Sequence, residues 1–115
     1  MVKLTSHLLN GVGGTHAAQV DMTLTRLAPD GGRELVLSAK SDDGGRLSVT
    51  VDTFANAKYE MAIACAAYFH DQNLPRTGLQ IVEDIVIRFS MPDPEARYHI
   101  PVIMSPNSYS CWWSE

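Results

Sequence analysis

The chain has 115 residues, room for one folded domain (1–115) around a single core. A hydrophobic fraction of 45% with 19% charged residues fits a globular protein and excludes a disordered one. Thirteen acidic against nine basic side chains give a net charge of −4, the wrong sign for gripping nucleic acid or an anionic membrane.

The first residues lack a basic stretch followed by an apolar one, so no export signal is expected. No apolar run approaches the roughly 18 residues of a membrane span. The dominant period is two. Val2, Leu4 and Leu8 share one parity, and Lys3, Thr5, His7 and Leu9 the other. Gly11-Val12-Gly13-Gly14 reads as a hairpin turn rather than a phosphate loop, because no long helix follows. Val20, Met22 and Leu24 restart the alternation, and Pro29-Asp30-Gly31-Gly32 turns the chain. Leu35, Leu37 and Ala39 predict the next strand, and Ser41–Gly45 the next turn. Leu47, Val49 and Val51 follow, then Tyr59, Met61, Ile63 and Cys65. Alanine-rich Ala64–Gln72 predicts a short helix, ended by Asn73 and Pro75, with a loop over Asn73–Gly78. Ile81, Ile85, Ile87 and Phe89 predict a further strand, Tyr98–Met104 another, and Ser108–Trp113 a last short one. Short strands with turns every eight to twelve residues predict an all-β fold, a two-sheet antiparallel sandwich with one short helix.

Cys65 and Cys111 form no C-x-x-C motif and predict two free thiols in a reducing cytoplasm. His7, His16, His70 and His99 show no metal-ligand spacing, so no metal site is expected. His16 and His70 read as solvated loop and helix-end residues. His7, Arg46 and His99 all project away from the apolar faces of their strands. Parity alone reads them as solvent-facing, but Leu9 and Ile103 share those faces and predict a partner surface. Two imidazoles and a guanidinium together suit proton transfer beside a stabilised anionic oxygen.

Four segments carry a family likeness: Leu4–Asn10, Asp43-Gly44-Gly45-Arg46, Tyr59-Glu60 with Ala67-Tyr68-Phe69, and above all Tyr98–Ser110. In order and spacing the whole chain resembles the transthyretin-like 5-hydroxyisourate hydrolases. The resemblance implies a β-sandwich that dimerises edge to edge and stacks into a homotetramer with active sites between dimers. It implies cofactor-free hydrolysis of the 5-hydroxyisourate ring in urate breakdown, with His7, Arg46 and His99 catalytic. The alternative is a non-catalytic small-molecule binder built on the same sandwich. The family's terminal Tyr-Arg-Gly-Ser falls on Trp112-Trp113-Ser114-Glu115, none of it retained. Trp112, Trp113 and Ser114 are therefore expected at the substrate channel, with one indole lining it to stack on a planar ring and the other packed against the sandwich or a neighbouring subunit. With the tail arginine absent and Glu115 added, a methylated analogue is the expected better substrate.

Overall fold

Alternation makes strand β1 (Val2–Asn10) the centre of one sheet: Val2, Leu4, Ser6, Leu8 and Asn10 are buried, the residues between them less so. In the computed structural model, which describes residues 1–72 and 78–115, one side of β1 pairs antiparallel with β2 (Thr15–His16) and β5 (Arg46–Val51). Its other side pairs in parallel with β8 (Arg97–His99) and β9 (Val102–Ser105), and β10 (Ser108–Cys111) closes that edge. The second sheet runs in the order β4 (Arg33–Lys40), β3 (Asp21–Leu27), β6 (Ala57–Ile63) and β7 (Ile85–Met91), all antiparallel. The expected two-sheet sandwich is present, with two parallel pairings inside a mostly antiparallel design.

Leu4, Leu8, Val102 and Met104 of the first sheet meet Met22, Leu24, Tyr59, Met61 and Ile63 of the second, all buried. Each large apolar side chain so buried contributes about 1.5–3 kcal/mol. Helix α1 (Cys65–His70) has no side-chain N-cap and only six residues. Such a helix is unstable alone; burial of Cys65 and Phe69 holds it on the core. Burial also pushes the Cys65 thiol above the usual range, which leaves it unreactive. Both cysteines are free. Among the described residues, no helix is long and apolar enough to cross a membrane.

The structure departs from the sequence-based expectations at five places. The β3–β4 register shifts between Leu24 and Thr25, so Leu35 pairs with Thr25 and stands exposed while Val36 packs on the core. Cys65 opens the helix instead of ending β6. Ile81 lies outside β7 and is exposed. Pro101, which has no N–H to give, splits the expected Tyr98–Met104 strand into β8 and β9. The last strand stops at Cys111, before the tryptophans. The loop expected from Asn73 to Gly78 lies, except for Gly78, outside the described residues.

On the outer face of the second sheet, Glu60 is buried between two arginines. Its Oε2 accepts from Arg33 at 2.5 Å and its Oε1 from Arg88 Nε and Nη2 at 3.0 and 2.7 Å. Hydrogen bonds from Arg33, then Arg88, hold the Glu60 carboxyl at about 2, well below an ordinary glutamate. Because the folded-state value is depressed, the contribution to stability is present above the unfolded value and lost as pH falls toward 2. Thermal melts across that acid range are therefore expected to show a limb that Glu60→Gln flattens. An unchanged limb in the variant would assign acid unfolding to other carboxylates.

Candidate active site on the exposed face of the central sheet

Residues 3, 5, 7 and 9 of β1 share the face turned from the core, and register brings their neighbours to them. His7 pairs across to Arg46 on β5, and Thr5 pairs across to His99 on β8. His7, Arg46 and His99, separated by up to 92 positions in sequence, thus stand on one face. Thr5 Oγ1 lies 2.8 Å from His99 Nδ1, which fixes that ring and leaves Nε2 free of this contact.

His7 Nε2 lies 3.0 Å from the Gly44 carbonyl oxygen and 2.9 Å from His16 Nδ1, the rings 5.0 Å apart. A carbonyl only accepts, so His7 Nε2 carries its proton and Nδ1 is the basic nitrogen. Burial, then the Arg46 charge, lowers the His7 pKa below the ordinary 6.5; the Gly44 carbonyl pulls the other way. His16 and His99 add smaller downward pushes. At neutral pH His7 is an uncharged base.

The turn between Asp42 and Arg46 places the guanidinium. Asp42 Oδ1 accepts from the amides of Gly44 at 2.9 Å and Arg46 at 2.8 Å, while Asp43 takes Gln19 Nε2 at 3.0 Å. Gly45 sits at φ 76° and any Cβ there would collide with the Leu8 carbonyl oxygen. The adjacent glycines therefore divide the work: Gly45 makes the turn against β1, and Gly44 offers its carbonyl to His7.

A groove of about 260 Å³ is lined by Thr5, Ser6, Arg46, Leu47, Ser48, Arg97, His99 and Glu115. The tail reaches it in an unexpected way. His99 N donates to Ser114 O at 3.0 Å and Ser114 N to His99 O at 2.9 Å, a backbone bridge that carries Glu115 into the lining. Trp112 and Trp113 do not line this groove. Both line another hollow with Ile87, Phe89, Tyr98 and Ile100, and the Trp113 ring lies 6.5 Å from that of Tyr98. Past Cys111 the chain keeps the register of β10, with Trp112 N donating to Pro101 O at 3.4 Å before Ser114 pairs with His99.

The structure thus brings His7, Arg46 and His99 onto one face, with Arg46, His99 and Glu115 in the groove lining and His7 outside it, and adds Thr5, His16 and Arg97, which sequence reasoning missed. His16 was findable: counting register across the Gly11–Gly14 turn places it opposite Leu9, on the face that also holds His7. Among the described residues, no group of three or more His, Cys, Asp or Glu side chains could hold a metal ion.

This is a transthyretin-type sandwich whose central sheet carries a histidine–arginine surface suited to acid–base chemistry. The chain belongs to the HIUase/Transthyretin family, whose family model matches residues 4–113. It is 29% identical over 113 residues to the 5-hydroxyisourate hydrolase of Halalkalibacterium halodurans, covering 96% of this chain and 95% of that one. The 5-hydroxyisourate hydrolase of Deinococcus radiodurans is 30% identical over 112 residues, covering 95% and 92%. Among solved structures, an (S)-allantoin synthase superposes with a TM-score of 0.84 at 28% identity. That match covers 99% of this chain but 44% of the synthase, so the chain spans under half its length. Transthyretin from Sparus aurata superposes at 0.83 with 23% identity, over 96% of this chain and 95% of that one, a likeness of fold.

Proposed function

We propose that the protein is a hydrolase that opens the ring of 5-hydroxyisourate in urate breakdown. The observation that carries this is the convergence of His7, Arg46 and His99 on one face by cross-strand pairing. It occurs in a chain that matches 5-hydroxyisourate hydrolases over nearly its whole length. In the reaction water adds to a ring carbonyl carbon, the ring C–N bond breaks, and the departing nitrogen takes a proton. One imidazole accepts the proton of the attacking water and the other returns a proton to the ring nitrogen. The neutral His7 Nδ1 suits the first role, and His99, oriented by Thr5, the second. The Arg46 guanidinium neutralises the oxyanion that forms on the carbonyl.

Ultraviolet monitoring of freshly prepared 5-hydroxyisourate tests the reading: its decay is expected to accelerate in proportion to protein concentration. Decay unchanged by protein, with ligand still bound, would favour the non-catalytic binder instead. We also infer a homotetramer as the working form. The edges β7 and β10 expose Val86 and Tyr109, and Leu9 and Ile103 remain only partly covered on the site's face. A monomeric mass by light scattering would overturn it.

The pH dependence follows from His7. With its pKa lowered, the acid limb of kcat/KM is expected below the ordinary histidine value of about 6.5. His16→Ala removes one of the downward pushes on His7 and is expected to move that limb upward. An acid limb at or above about 6.5 in the unaltered protein would remove His7 from the role of base.

A further inference from the structure

We propose that the outer face of the second sheet holds a second ligand site, for a small organic anion with a phosphate or carboxylate headgroup on an apolar body. At the end of that sheet a pocket of about 410 Å³ lies between the β3–β4 turn and the chain leading into β6. That volume falls within the about 300–1,000 Å³ common for small-molecule sites. Three cations from three strands line it: Arg33, Lys58 and Arg88. No acidic side chain is in the lining, although the protein as a whole carries −4.

The cations are arranged rather than scattered. Glu60 holds both guanidiniums from beneath, its two oxygens taken by Arg33 and Arg88. Arg33 spends one terminal nitrogen on that carboxylate, so much of its donor fork stays available. Lys58 makes no ion pair among the described residues and stands exposed. One carboxylate against three cations leaves two positive charges around the pocket. Such a held, unbalanced set suits a phosphate or carboxylate, which accepts several charge-assisted hydrogen bonds at once. The remaining wall is mostly apolar, with Leu27, Pro29 and Phe54 beside the one amide side chain of Asn56. Phe54 is 56% exposed, a cost explained if a ligand's apolar body covers it. This pocket lies on the opposite sheet from His7 and His99, so it is separate from the proposed hydrolytic site.

The test is amide NMR titration of the full chain with phenyl phosphate, inorganic phosphate and benzyl alcohol. Phenyl phosphate is expected to produce saturable shifts at Arg33, Phe54 and Lys58. Inorganic phosphate should bind about tenfold more weakly, and benzyl alcohol should leave these residues unmoved. Lys58→Gln is expected to weaken phenyl phosphate about fivefold, the size of one charge contact near water. Its melting temperature should stay unchanged, because among the described residues the Lys58 side chain makes no hydrogen bond or ion pair and stands exposed. Phe54→Ala should erase the preference for phenyl over inorganic phosphate. The proposal is overturned by an absence of saturable shifts up to about 10 mM. It is equally overturned if Lys58→Gln leaves the affinity unaltered, or if shifts are confined to the face of Arg46 and His99.

Discussion

Arg46→Ala is expected to lower kcat/KM for ring opening by about 10²–10³-fold, the loss typical when an oxyanion-stabilising donor is removed. His99→Ala should cost about 10²–10⁴-fold, the range of one general acid–base group. Both follow from the cross-strand pairs that seat these side chains beside Thr5 and His7 on the exposed face of β1. Neither side chain belongs to the buried core, so melting temperatures should barely move. Arg46→Lys should recover only part of the loss, since an ammonium keeps the charge but not the planar fork. Steady-state rates read beside thermal melts decide the matter. If activity falls only in step with the folded fraction, the two residues are structural.

The strands most legible in the sequence were those whose two faces meet different surroundings. β1 alternates because one face packs against the second sheet and the other does not, so parity alone placed His7 correctly. β4 shows where parity breaks. The shift opposite Leu24 and Thr25 depends on the pairing partner, and nothing within Leu35–Ala39 records it. Ile81 has a strand-former's side chain but no ladder, because Asn107 Oδ1 takes the amides of Ile81 and Val82. Pro101 was a readable signal: a residue without an N–H inside an apparent strand marks a break. There the chain switches its pairing on β1 from Thr5 to Leu8, and Ser6 Oγ donates to the Ile100 carbonyl across the gap at 2.6 Å.

The candidate site's shared face was legible where chemistry and parity coincided, at His7, Arg46 and His99. It was hidden where the supporting element is too short to show a period. β2 has two residues, so His16 looked like a loop histidine although its ring touches His7. Arg97 shares the parity of His99 on a strand of three residues, and only the groove reveals that both line it. Beyond Cys111 the chain runs on beside Pro101 to His99, and Pro101, with no N–H to give, interrupts the ladder there.

That pairing leads to the second large effect. Removing Ser114 and Glu115 is expected to lower kcat about tenfold or more, while Glu115→Gln leaves kcat near its original value. Ser114 makes both backbone hydrogen bonds to His99, at 3.0 and 2.9 Å, and these fix the strand that carries the imidazole. Without them β8 is held on the β1 side alone, and displacement of a catalytic group by about 1 Å can cost 10²-fold in rate. Glu115 acts differently. It is the one acidic side chain in the lining of a groove that also contains Arg46, Arg97 and His99. Its carboxylate offsets part of their positive charge and repels an anionic ligand. Neutralising it should lower KM for an anionic substrate about fivefold, the value of one charge at contact distance in water. KM for a neutral substrate should not change. Trp112→Ala and Trp113→Ala, whose indoles line the neighbouring hollow, should alter kcat/KM far less than the truncation does. Separate measurement of kcat and KM across these four variants distinguishes the roles. Full kcat in the truncated protein would show that His99 needs no support from the tail. A loss of rate on removing either indole, equal to that of the truncation, would return the tryptophans to the substrate.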